Sequence, residues 1–81
     1  MKQERLKNVI ETVKMHIKWE QEKIERCVDE IRDKAKNDNP RNVAMFMPGM
    51  VRELQEAIDR QKQYEEQLKM LEFLMEEEED Y

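Results

Sequence analysis

The sequence predicts an all-α fold, an antiparallel helical hairpin of two long helices that assembles into a four-helix bundle or a larger helical oligomer. Three observations predict it. Isoleucine returns at every seventh position, Ile10, Ile17, Ile24 and Ile31, with Leu6, Val13, Glu20 and Cys27 midway. This three-and-four alternation keeps one stripe of a helix against a partner helix. Charged residues make up 43% of the chain, beside one Gly and two Pro, which is the usage of long helices rather than of an average globule. A second stripe with the same spacing follows the first, beyond a single cluster of turn-forming residues.

The first helix is expected over about residues 2–38. With the isoleucines at heptad position a, Leu6, Val13, Glu20 and Cys27 fall at d, and Val9, Val28 and Ala35 widen the stripe. Its breadth suits a helix with more than one neighbour. Met15 and Trp19, one turn apart, lie off the stripe and form a second apolar patch. The run Asn37-Asp38-Asn39-Pro40 ends the helix, because Asn and Asp favour turns and Pro40 disfavours helical geometry at the residue before it.

A connection is expected over about residues 39–49. Asn39 followed by Pro40 makes a good N-cap and first-position pair, so a short helical piece extends to about Phe46. Pro48-Gly49 then punctuates the chain, and the second long helix runs over about residues 50–77. In it Leu54, Gln61, Leu68 and Met75 share one heptad position and Met50, Ala57, Tyr64 and Leu71 the other, flanked by Val51 and Ile58. Met70, Phe73 and Leu74 spill apolar surface outside this stripe, ahead of an acidic tail at residues 78–81. The whole, residues 1–81, is expected to be a single domain.

An antiparallel register in which paired residue numbers sum to about 85 satisfies both stripes. It sets Ile31 against Leu54, Ile24 against Gln61, Ile17 against Leu68 and Ile10 against Met75. It also brings Glu20 near Tyr64, and a carboxylate in an apolar seam needs a hydrogen bond. Glu20, Gln61 and Tyr64 are therefore expected to form a buried polar layer that fixes register, with Tyr64 donating to Glu20. The cationic start of the first helix and the acidic end of the second meet in this orientation, where opposite signs attract.

An 81-residue chain is short for a core of its own, so self-association is expected. Met15, Trp19, Met70, Phe73 and Leu74 are the candidate oligomer interface. Met45, Phe46, Met47 and Met50 are the candidate partner-binding cluster, since methionine suits adaptable binding surfaces.

No catalytic chemistry is expected, nor any cofactor, metal or small-molecule substrate. His16 and Glu20 are one turn apart but lack further ligands, and Cys27 lies on the stripe, where a thiol packs as a small apolar group with no basic neighbour on its face. The pairs Glu22/Glu25 and Glu56/Asp59 have the spacing of the metal motifs of the all-α nucleotide pyrophosphatases, yet here they fall on outer faces, and metal ligands must converge. Glu53-Leu54 followed by Ile58 faintly resembles the small helical-hairpin phosphatases of sporulation response regulators. Arg52 and Gln55 stand where that motif has Gln and its functional Asp, so the resemblance implies only a hairpin that binds another protein.

The net charge of −5 disfavours direct contact with nucleic acid or an anionic membrane. A lone cysteine and the lack of a leader or long apolar run point to the cytoplasm. The expected function is a non-catalytic protein that binds and modulates, by inhibition, another protein, in the style of a phage-like or accessory bacterial regulator. The alternatives are an acidic nucleic-acid mimic blocking a DNA- or RNA-binding enzyme, working through Glu76–Asp80 with Asp29, Glu30 and Asp33, and a structural assembly protein.

Overall fold

The computed structural model describes the backbone of residues 2–79 and the side chains of residues 4–77. Two helices, α1 (Lys2–Asn37) and α2 (Pro40–Glu79), pack against each other as a hairpin. α2 carries the backbone of Glu78 and Glu79, the first half of the expected acidic tail, while their side chains and the whole of Asp80 and Tyr81 lie outside the described residues.

The turn is built from the residues whose chemistry stops one helix and starts the next. The Asp38 amide donates to the Lys34 carbonyl at 2.9 Å, closing the last turn of α1. Lys34 and Lys36 stand in that turn, where positive charge complements the helix dipole. Asn39 then caps α2. Its Oδ1 accepts from the Arg41 amide at 2.8 Å, its carbonyl accepts from Val43 at 3.0 Å, and Pro40 fills the first helical position.

The expected connection over residues 39–49 is absent. α2 runs unbroken from Pro40 through Pro48 and Gly49, so the break between helices shrinks to Asp38 and Asn39. Pro48 supplies no N–H to the Ala44 carbonyl, and a proline in a helix interior costs about 3 kcal/mol and a glycine about 1 kcal/mol. Both residues face outward, Gly49 keeps a negative φ, and nothing lies within 4 Å of where its Cβ would stand. Their inward neighbours explain the continuity. Met47 and Met50 are half-buried and extend the stripe of Leu54 and Ala57 back through the breakers with three-and-four spacing.

A shorter turn changes the register. Glu20 meets Arg60, His16 meets Tyr64 and Lys34 meets Phe46, pairs whose numbers sum to 80, and Gln21 meets Gln61, a sum of 82. The register thus centres near 81 rather than 85, a slip of about one helical turn. At this register Ile31 is level with Met50, Ile24 with Ala57, Ile17 with Tyr64 and Ile10 with Leu71, not with Leu54, Gln61, Leu68 and Met75. Each isoleucine of the α1 stripe is thus level with the Met50, Ala57, Tyr64 and Leu71 set of α2 rather than with the Leu54, Gln61, Leu68 and Met75 set.

The hairpin is a rod of 62 × 14 × 13 Å. Its radius of gyration of 18.3 Å exceeds the roughly 12 Å of a compact chain this long. Two helices alone can hide only one stripe each. Among the described residues Ile10, Val13, Cys27 and Ala57 are the buried apolar ones, while Ile17, Ile24 and Ile31 are half-buried. Ala57 is wholly covered and, being small, lets the helices approach closely at mid-length.

Candidate functional site

The polar layer forms with a different partner. Arg60 Nε donates to Glu20 Oε1 at 3.0 Å, and Tyr64 takes no part in holding the carboxylate. A guanidinium on a long stem attracts a carboxylate more strongly than a neutral phenol does. The hydrogen bond to Glu20 raises the Arg60 pKa above its ordinary value, against the effect of burial. Gln61 donates to Gln21 Oε1 at 2.7 Å instead of reaching Glu20. Glu20 Oε2 is buried without a hydrogen-bond partner among the described residues, and such an atom costs about 1–3 kcal/mol. The carboxylate is thus held across the seam through one oxygen only.

Tyr64 stacks instead on His16, with ring centroids 5.1 Å apart and planes 14° from parallel. His16 also meets Trp19 edge to face, at 5.2 Å and 88°. His16 is thereby half-buried in an aromatic setting, and Trp19 is anchored to the seam while remaining 53% exposed.

The candidate partner cluster divides. Met45 is 72% exposed and Phe46 stands half in solvent beneath the Lys34 ammonium, 4.9 Å from its ring centre, whereas Met47 and Met50 turn inward toward α1. All five candidate interface residues face outward: Met15, Trp19, Met70 at 60%, Phe73 at 54%, and Leu74. Val9 and Val51 join the exposed set, where the sequence places Val9 on the stripe and Val51 beside its own. Their positions at the stripe's edge made them look inward. A narrower seam, as two helices give, leaves the edges open.

Cys27 is buried beside an open cavity of about 170 Å³ lined by Lys23, Arg26, Cys27, Glu30 and Glu53. Basic neighbours are thus present, contrary to expectation, together with two carboxylates. Glu22, Glu25, Glu56 and Asp59 are all exposed, and Glu25 and Asp59 accept from Gln21 at 3.4 Å and Gln55 at 3.1 Å. Among the described residues no three His, Cys, Asp or Glu side chains converge as metal ligands do, and no helix is long and apolar enough to cross a membrane.

No family model, curated protein or solved structure matches the chain. The functional reading therefore rests on the hairpin's own surfaces.

Proposed function

We propose that this hairpin is a non-catalytic interaction module that binds another protein through its turn end and modulates that protein's activity. The observation that carries the reading is the exposure of Met45 and Phe46 on a continuous, capped helix. Side chains held on a helix lose little freedom on docking, so less of the contact energy is spent on ordering. Methionine adapts to irregular pockets, and a half-exposed aromatic beside a cation has the character of a binding anchor.

Affinity capture with wild type beside a Met45→Ala/Phe46→Ala variant tests it. Removing two anchors at a cost of about 2 kcal/mol weakens capture of the partner about 30-fold. Ending the chain after Met75 leaves capture intact. Loss on that truncation, with Met45 and Phe46 dispensable, favours the acidic mimic instead.

A further inference from the structure

The end of the hairpin away from the turn presents apolar side chains from both helices, and we propose that this face docks a second copy of the chain. In the resulting four-helix bundle each α1 lies against the other copy's α2, and both turns lie at the same end.

The face is continuous. Lys23, Glu30 and Glu53 line one cavity, and His16 and Arg60 cross the seam to Tyr64 and Glu20. Heptad spacing puts Val9 in row with His16, Lys23 and Glu30, and Leu74 in row with Arg60 and Glu53, so both border one edge of the hairpin. Trp19 is tied to that edge through His16. Met70 stands one turn before Leu74 on this edge, Phe73 lies three residues beyond Met70 at the rim of the face, and all these apolar residues are exposed.

Two quantities favour a second copy as the occupant. The chain exposes 6848 Å² at a mass of 10.0 kDa, about 1,600 Å² more than the roughly 5,200 Å² of a globular monomer of that mass. A standard interface covers about 800 Å² per partner, so pairing removes much of the excess. Charge then selects the arrangement. Over Lys2–Asn37 the chain has ten cationic and eight acidic residues, and over Pro40–Glu79 five cationic and ten acidic. Setting α2 against α2 would oppose two acidic helices, whereas α1 against α2 sets unlike signs together.

Levels within the rod agree. At a register of 81 to 82, exposed Arg5 is level with Glu77 and Arg26 with Glu56, and heptad spacing puts Arg5 and Arg26 in row with Trp19 and Glu56 and Glu77 in row with Met70. A twofold axis parallel to the helices preserves level, so the Arg5/Glu77 and Arg26/Glu56 pairs are brought toward one another across the interface. Glu22 with Asp59, Glu4 with Glu77 and Glu25 with Glu56 are also level and of like sign and run against the pattern, but heptad spacing puts Glu4, Glu22 and Glu25 in rows other than that of Trp19. The same axis puts the two Met45–Phe46 ends side by side.

Sedimentation equilibrium of the purified full chain tests the proposal without any other partner. Wild type at tens of micromolar is expected at twice the 10.0 kDa chain mass, and Trp19 emission shifts to shorter wavelength as concentration rises. Phe73→Glu and, separately, Met70→Lys weaken association at least 100-fold. Their substituted side chains are exposed, so helical circular dichroism is retained at concentrations where they are monomeric. Carbodiimide cross-linking of mixed light- and heavy-isotope chains yields intermolecular links between α1 lysines and α2 carboxylates. A monomer up to millimolar concentration, a mass above two chains, dimers indifferent to both substitutions, or intermolecular links confined to like helices each overturn the proposal. So does loss of helix in step with dissociation in both variants, because the hairpin is then not a preformed docking unit.

Discussion

The two ends of this rod solve the same deficit differently. At the turn end, Met45 and Phe46 leave a single helix, with Lys34 of the other helix leaning over the Phe46 ring. At the open end, exposed apolar side chains come from both helices, Val9 and Trp19 on α1 and Met70, Phe73 and Leu74 on α2. A ridge on one helix fits into a pocket of something else, whereas a broad face spanning two helices fits another broad face. Two helices cannot bury all the apolar surface this chain contains, and where the excess is placed decides what kind of surface it becomes.

The largest expected effect lies at the turn end. If its ridge stands on continuous helix, Pro48→Ala restores a hydrogen bond to Ala44 and raises unfolding free energy by about 3 kcal/mol, read from denaturant melts. A loss would make Pro48-Gly49 a turn and the ridge a loop. At mid-length Ala57 is fully covered, and Ala57→Leu is expected to destabilise by about 1–3 kcal/mol through overpacking. No change in the melts would mean the helices are free to separate there.

The polar layer between the ends comes next. Glu20→Leu with Arg60→Leu removes both partners of the ion pair, along with its half-satisfied carboxylate, and is expected to stabilise by about 1 kcal/mol. Spin-label distances between the helices would broaden as register loosens, and unchanged distances would show that packing alone sets alignment. The smallest effect belongs to Gly49→Ala, which fills open space on a helical residue of negative φ and is expected to add about 0.5–1 kcal/mol. Thermal melts that fall instead would argue for a bend at this point.

The isoleucine stripe made the helical hairpin legible, because a seven-residue period has one simple structural reading. The Asn39–Pro40 start was equally legible, since capping chemistry is local. Pro48-Gly49 misled because helix breakers are local signals and packing is not. Met47 and Met50 hold the helix through them, and the three-and-four spacing from Met47 to Ala57 was the available clue. That error carried into the register and hence to Glu20, whose partner Arg60 lies one turn before Tyr64. The outward residues of the open end were legible as departures from the stripe, whereas Val9 and Val51 were not, because sequence does not show how wide the seam will be.

The most direct test of the difference between the two ends is the solution mass of three proteins measured together by sedimentation equilibrium: wild type, Met45→Ala/Phe46→Ala, and Phe73→Glu. Two chains for wild type and for the turn-end variant, with one chain for Phe73→Glu, is the predicted result. A turn-end variant that falls to one chain, or a Phe73→Glu protein that stays at two, contradicts it.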